Sequence, residues 1–142
     1  MTARILYIED NPQNMRLVRK MLTLGGYDML EATDGHTGVQ MAIEQKPDLI
    51  LMDINLPDID GIQATRTIKD TEQTAHIPVI ALTANAMHGD REMFLEAGCD
   101  GYLAKPVTRN ELLNTVSYFL DHRRPDLLSS KEEDIAWRSS SS

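Results

Sequence analysis

The stretch LILMDINLPDIDG, from Leu49 to Gly61, decides the fold of this chain. Four apolar residues lead directly into a carboxylate, Asp53, and the chain then turns at Pro57. A short apolar run without polar alternation is typical of a strand that is buried on both faces of a parallel sheet. A carboxylate at the end of such a strand is costly when it is unpaired, so we expect other strands to supply its partners.

The rest of the chain repeats this alternation of short apolar runs and longer helical patterns. Besides Leu49–Met52, strands are predicted at Arg4–Ile8, Tyr27–Ala32, Ile77–Thr83 and Gly101–Ala104. The first helix is predicted to start with Asn11 as N-cap and Pro12 at the first helical position. Thr108 and Glu111 have capping-box spacing at the start of the last helix. Five strands that alternate with five helices predict an α/β fold, with a parallel sheet covered by helices on both faces.

Helical spacing also predicts which faces of the helices point inward. In the first helix the inward set is Leu17, Val18, Met21 and Leu22, and in the last it is Leu112, Leu113, Val116, Phe119 and Leu120. The second strand, YDMLEA, is more polar than the others and is expected at an edge of the sheet.

Composition limits the classes of protein to which the chain can belong. Its 142 residues suit one domain, predicted over residues 1–124, with a mostly disordered tail over residues 125–142. The net charge of −8 disfavours binding to nucleic acid or to a membrane surface. A lone cysteine, Cys99, cannot form an internal disulfide, and it is expected to be a small buried residue. With no signal peptide or membrane-spanning stretch, we expect a soluble cytoplasmic protein.

Charged and polar residues follow four of the five predicted strands. Ligands of open parallel sheets bind beyond the carboxyl ends of the strands. The side chains expected there are Glu9, Asp10, Asp53, Asn55, Thr83, Ala84, Lys105 and Pro106. Three carboxylates repel one another, and a hard divalent cation such as Mg²⁺ would compensate them. A metal, a lysine and a hydroxyl around a free carboxylate suit phosphoryl transfer, in which an aspartate can act as the nucleophile.

Each of these residues also has an ordinary structural reading. Asp10 could simply begin the first helix, and Lys105 could be a solvated surface lysine. The joint placement of all of them at the same end of different strands favours a site.

Four segments of the chain, in their order and spacing, resemble the receiver domain of bacterial two-component response regulators. They are YIEDN, LILMDINLPDIDG, VIALTANA and YLAKP, and the resemblance covers about Ala3 to His122. It implies a flavodoxin-like, doubly wound five-stranded sheet with strand order 2-1-3-4-5. It also implies a phosphoprotein that accepts its phosphoryl group from a histidine kinase or a histidine phosphotransfer protein.

The resemblance assigns a role to each residue of the predicted site. Asp53 matches the phosphoacceptor. Asp10, Asp53 and the backbone carbonyl of Asn55 match the direct ligands of Mg²⁺, for which Mn²⁺ can substitute, and Glu9 would act mostly through water. Thr83 and Ala84 match the residues that contact the phosphoryl group, and Lys105 matches the lysine that pairs with it.

Two further matches concern the switch and the backbone of the site. Tyr102 matches the aromatic switch residue, although its ordinary reading is a strand aromatic in the core. Lys105–Pro106 matches the cis peptide bond of the family.

The resemblance also implies how the protein passes its signal to a partner. Few residues follow the last helix, so the chain is expected to be a stand-alone, single-domain response regulator. Such a protein signals through a downstream target protein, which usually contacts the face formed by helix four, strand five and helix five. It would be a monomer or a weak homodimer, and it would not be an enzyme beyond its own Mg²⁺-dependent phosphorylation and dephosphorylation.

Two other functions compete with this interpretation. A Mg²⁺-dependent phosphohydrolase would use the same aspartate, threonine and lysine, but Asn55 occupies the position where such enzymes usually carry a second acid. A receiver fold that only docks to partners would not need the full acceptor set. In that case the tail residues Leu127, Leu128, Ile135 and Trp137 would be candidates for docking.

Overall fold

The structure is a computed structural model that describes residues 2–84 and 90–121. The strands are β1 (Arg4–Ile8), β2 (Asp28–Ala32), β3 (Leu49–Asp53), β4 (Val79–Thr83) and β5 (Gly101–Ala104). The helices are α1 (Pro12–Leu24), α2 (Gly35–Gln45), α3 (Gly61–Asp70), α4 (Asp90–Ala97) and α5 (Arg109–Asp121). Among the described residues, no helix has the length and apolarity needed to span a bilayer.

All five strands are parallel and lie in the order β2-β1-β3-β4-β5. This confirms the predicted doubly wound, flavodoxin-like fold and the edge position of the second strand. The central strand β3 pairs with β1 on one side and with β4 on the other. Its last residue, Asp53, is level with Leu82 of β4, so the ladder holds the carboxylate at the carboxyl edge of the sheet.

Two hydrophobic cores lie on opposite faces of the sheet, as expected when helices cover both faces. Leu49 and Leu51 of β3 face the core covered by α1 and α5. Ile50 and Met52 face the other core, to which α2, α3 and α4 contribute. Because both faces of β3 are covered, its apolar run shows no polar alternation.

The two predicted helix caps are confirmed. The Asn11 side chain accepts hydrogen bonds from the backbone N–H of Gln13 and of Asn14, at 2.9 and 3.0 Å. At α5, Glu111 N–H donates to the Thr108 hydroxyl and Thr108 N–H donates to the Glu111 carboxylate, each at 3.1 Å. These caps fix where the two helices on the same face of the sheet begin.

The inward face predicted for α1 is wrong at one position. Leu17 is 46% exposed, and Met15 is buried together with Val18 and Leu22. With the helix starting at Pro12, Met15, Val18 and Leu22 follow the i, i+3, i+7 spacing of one face, and Leu17 lies outside it.

Some predicted boundaries also differ from the observed ones. The helical pattern IQATRTIKDTEQ predicts a third helix over Ile62–Gln73, whereas α3 ends at Asp70. The strand β4 starts at Val79 and not at the predicted Ile77. The pattern NAMHGDREMFLEAG predicts a fourth helix over Asn85–Gly98, and its start at Asn85 lies outside the described residues. The predicted tail over residues 125–142 also lies outside them. Cys99 is buried, as expected.

Candidate functional site

The strand order brings the predicted site residues to one edge of the sheet. Since β1, β3, β4 and β5 are successive neighbours, their carboxyl ends meet there. The backbone hydrogen bonds between strands continue past the strand ends. Ile54 N–H donates to the Leu82 carbonyl at 3.2 Å, and Lys105 N–H donates to the Thr83 carbonyl at 2.8 Å. The main chain around the site is therefore fixed by the sheet.

Lys105 lies between two buried carboxylates at this edge. Its ammonium donates to Glu9 Oε1 at 2.9 Å and to Asp53 Oδ1 at 3.0 Å. Glu9 is 1% exposed and Asp53 is 2% exposed. One ammonium thus stabilises two carboxylates that would otherwise be costly to bury.

The third predicted carboxylate, Asp10, lies at the same place but is exposed to solvent. Oxygens of Glu9, Asp10 and Asp53 all lie within 4.8 Å of one another. This oxygen-only set of three carboxylates carries two more negative charges than the single ammonium of Lys105 can neutralise. Its chemistry and spacing fit a hard divalent cation, which takes carboxylate, carbonyl and water oxygens.

The two buried carboxylates differ in their affinity for protons. Burial, and after it a hydrogen bond with Glu9, raises the pKa of Asp53 to about 6, although Lys105 opposes the rise. Burial also opposes ionisation of Glu9, but hydrogen bonds from Asp53, Lys105 and Tyr7 lower its pKa below the usual value. Without a metal, the proton that the pair takes up on acidification therefore goes to Asp53.

A stability measurement tests this assignment. The pKa of Asp53 is about 6 in the folded protein, above its ordinary 3.8. Its contribution to the free energy of unfolding is therefore fully present below about pH 4 and is lost as the pH rises through 6. Asp53→Asn removes this loss, so without metal we expect the variant to be about 3 kcal/mol more stable than the wild type at pH 7.

Urea unfolding in the presence of a chelator, at pH values from 4 to 7, measures the difference. We expect the advantage of Asp53→Asn to shrink as the pH falls from 7 toward 4. Asp28→Asn is the control, because Asp28 is exposed at the amino end of β2. An advantage of the same size at every pH would mean that the Asp53 carboxyl does not titrate in this range.

A glycine sets the path of the chain after Asp53. A Cβ at Gly61 would lie 2.3 Å from the Asp53 carbonyl oxygen and 2.8 Å from Ile54 Cα, so only glycine fits without a backbone shift. Gly61 N–H donates to the Ile54 carbonyl at 2.8 Å, which closes the loop that carries Asn55. The Asn55 N–H in turn donates to Asp53 Oδ1 at 3.3 Å. The loop thereby keeps Asn55 beside the carboxylate.

Sequence reasoning missed a second contact of this loop. Asp58 accepts hydrogen bonds from the backbone N–H of Gly35 and of His36, both at 2.8 Å, at the start of α2. Partial desolvation opposes ionisation of Asp58, but the backbone donors at His36 and Gly35 outweigh it and lower its pKa. The contact spans more than 20 positions in sequence, and no local pattern indicates it.

The remaining predicted residues also lie at or beside this edge. Thr83 is buried at the end of β4, and Ala84 next to it is exposed. Tyr102 is half-buried on β5, with its ring centroid 6.0 Å from that of Phe94 on α4. The Lys105–Pro106 peptide bond is cis, as the resemblance implied.

A buried tyrosine is the other residue that the sequence analysis missed. The Tyr7 hydroxyl donates to Glu9 Oε1 at 2.7 Å. Burial, together with the Glu9 carboxylate, raises the pKa of this phenol well above its usual range, so the hydroxyl stays protonated. A signal was available in the sequence, because alternate residues of a strand share a face and Tyr7 is two positions before Glu9.

Comparisons with known proteins agree with this geometry. A family model described as the response regulator receiver domain matches residues 5–117. The polar-differentiation response regulator DivK of Brucella ovis is 41% identical over 120 residues, which are 84% of this chain and 98% of that protein. The DivK of Brucella anthropi is 39% identical over the same shares.

Solved structures similar to this chain are also receiver domains. The receiver domain of the sensor histidine kinase PA1611 from Pseudomonas aeruginosa PAO1 is 44% identical, with a TM-score of 0.80 over 85% of this chain and 99% of that one. It was crystallised with a magnesium ion coordinated in its active site cleft. A CheY-like receiver domain protein from Methanospirillum hungatei JF-1 is 26% identical, with a TM-score of 0.80 over 87% of this chain and 97% of that one.

Proposed function

We propose that this chain, which belongs to the response regulator receiver domain family, accepts a phosphoryl group on Asp53 in a two-component phosphorelay. Proteins of this family are signalling proteins that interact with histidine kinases and phosphotransfer proteins. The observation that carries the proposal is the Asp53 carboxylate at the end of the central strand, bonded to Lys105 and within reach of Glu9 and Asp10. A structural carboxylate would not need this arrangement.

The acidic cluster supports Mg²⁺ as the cofactor, with Mn²⁺ as a substitute. We propose Asp10, Asp53 and the backbone carbonyl of Asn55 as direct ligands, and Glu9 as a residue that acts through water. When bound, the cation neutralises phosphoryl oxygens and reduces the repulsion between them and the carboxylates. The magnesium ion in the Pseudomonas aeruginosa receiver domain supports this choice.

The residues around Asp53 suit an in-line phosphoryl transfer. An Asp53 carboxylate oxygen forms a bond to phosphorus while the bond from phosphorus to the donor's histidine nitrogen breaks, and the nitrogen keeps the electron pair. Lys105, which already contacts Asp53, then pairs with a phosphoryl oxygen. Thr83, at the end of the neighbouring strand, supplies a hydroxyl, and Ala84 follows it on the exposed side.

The new charge also provides a means of signalling. We propose that Thr83 moves toward the phosphoryl group and that Tyr102, packed on Phe94 of α4, changes its burial in response. The downstream target would then bind the face formed by α4, β5 and α5. On α4, Met93 and Leu95 are 52% and 39% exposed and offer apolar contacts for such a partner. We infer a monomer or a weak homodimer before the partner binds.

Phosphoryl uptake from acetyl phosphate tests the proposal. We expect the protein to take up one phosphoryl group per chain in Mg²⁺ or Mn²⁺, and at least about tenfold more slowly in a chelator, because the metal neutralises the acidic cluster. Intact-mass spectrometry over time measures the uptake.

The same preparation separates the competing functions. A phosphohydrolase would turn over a small phosphomonoester catalytically, which we do not expect here. A docking protein that does not use phosphorylation would take up no phosphoryl group with or without metal. Either of these results would contradict the proposed function.

A further inference from the structure

We propose that Tyr7 is a positioning residue of the phosphorylation site, whose hydroxyl keeps the Glu9 carboxylate in place when Lys105 turns to the phosphoryl group. The inference deepens the proposed function and rests on it. It concerns a residue that lies two strand positions before Glu9 and does not contact the phosphoryl group itself.

The first step is the sharing of one carboxylate oxygen. Glu9 Oε1 accepts from the Tyr7 hydroxyl at 2.7 Å and from the Lys105 ammonium at 2.9 Å. The other oxygen, Oε2, accepts a long hydrogen bond, 3.3 Å, from the Asn11 N–H. A protonated Asp53 also bonds to Glu9, but a phosphorylated Asp53 cannot donate, which leaves Tyr7 and Lys105 as the two short donors to Oε1.

The second step is that the side chains of the two donors, Tyr7 and Lys105, differ in conformational freedom. The Tyr7 ring is fully buried in the core between the sheet and the helices α1 and α5, where it packs among side chains such as Val18 and Leu112. Because the ring cannot move, its hydroxyl stays directed at Glu9. Lys105 has a flexible side chain that is partly exposed and already divides its hydrogen bonds between Glu9 and Asp53.

The third step is the redistribution of these bonds on phosphorylation. The phosphoryl group adds negative charge at Asp53 and draws the Lys105 ammonium away from Glu9. Glu9 is then a buried carboxylate without the Lys105 ammonium, and the Mg²⁺ proposed for this site would interact with it only through water, so a direct hydrogen-bond donor is needed to hold it in place. The Tyr7 hydroxyl is that donor. Without it, Glu9 would retain Lys105 more firmly and oppose formation of the phosphorylated state.

A double-mutant cycle distinguishes this role from simple packing. Tyr7→Phe removes only the hydroxyl and leaves the ring in the core. We expect it to slow phosphoryl uptake from acetyl phosphate at saturating Mg²⁺ by at least about fivefold. In a Glu9→Gln background, where no charge has to be retained, the same substitution should change the rate by less than about twofold. Tyr27→Phe is the matched control, since Tyr27 is half-buried against the same core just before β2, at the other end of the sheet.

The outcomes separate this inference from the proposed function. A Tyr7→Phe protein that is phosphorylated as fast as the wild type would overturn the inference and leave phosphorylation of Asp53 intact. So would an equal slowing in the wild-type and Glu9→Gln backgrounds, because that is the result of a packing role. Failure of Asp53→Asn to block uptake would instead overturn the proposed function.

A measurement on the wild-type protein keeps the test independent of how the variants fold. A buried hydroxyl proton bonded to a carboxylate exchanges slowly and gives a downfield proton resonance. We expect the Tyr7 resonance both before and after phosphorylation with acetyl phosphate. Its disappearance on phosphorylation would show that the hydroxyl does not stay with Glu9 and would overturn the inference.

Discussion

Asp53→Asn is expected to abolish phosphoryl uptake, with a loss of at least about a hundredfold in rate. The amide has nearly the shape of the carboxylate but is neutral and is not a nucleophile toward phosphorus. Glu9 is buried and bonded to Tyr7 and Lys105, so it is poorly placed to act instead. Uptake from acetyl phosphate and from an autophosphorylated histidine kinase should be lost together, because both donors use the same acceptor oxygen.

Loss of folding cannot explain this result, since without metal the same variant is expected to be more stable than the wild type at pH 7. Urea unfolding of the same protein preparation in a chelator verifies that point. Asp28→Asn, which changes an exposed carboxylate on the edge strand, should be phosphorylated at the wild-type rate. Phosphoryl uptake by Asp53→Asn with unchanged stoichiometry would show that the acceptor is another residue.

Lys105→Met is expected to change metal binding and phosphorylation in opposite directions. The ammonium occupies oxygens of both Glu9 and Asp53, and its charge repels a divalent cation. Its removal should therefore tighten Mg²⁺ binding by about threefold or more. The same removal takes away the cation that pairs with the phosphoryl oxygen and should slow uptake by about tenfold to a hundredfold.

Calorimetric titration with Mg²⁺ and the rate of uptake from acetyl phosphate measure the two effects on one sample. Lys20→Met is the matched control, because Lys20 is exposed on α1 and should affect neither quantity. Weaker metal binding together with slower uptake would mean that Lys105 chiefly maintains the structure of the site. Unchanged uptake with tighter metal binding would remove Lys105 from the transfer step.

The fold could be predicted from the sequence because local signals and tertiary packing agree. The apolar run before Asp53 and the caps at Asn11 and Thr108 all match the observed architecture. The wrong face at Leu17 arose because Leu17 and Val18 are adjacent apolar residues, and apolar character alone does not decide which of them points to the core. Strand order could not be read from periodicity and came from the resemblance.

The site could be predicted in outline, since parallel strands bring their carboxyl ends to one edge. What the sequence did not provide was the pairing of side chains at that edge. That Lys105 bridges Glu9 and Asp53 depends on side-chain reach across three strands. The Asp58 contact with the start of α2 depends on how two loops pack. The Tyr7 contact is the exception, because strand alternation alone places Tyr7 and Glu9 on one face.

Localisation of the phosphoryl group tests the central claim most directly. Borohydride reduces an aspartyl phosphate to homoserine, which peptide mass spectrometry can locate after phosphorylation in Mg²⁺. We predict homoserine at position 53 and at no other carboxylate of the site, in proportion to the phosphoryl group taken up. Homoserine at position 9 or 10, or full uptake without any homoserine, would contradict the account.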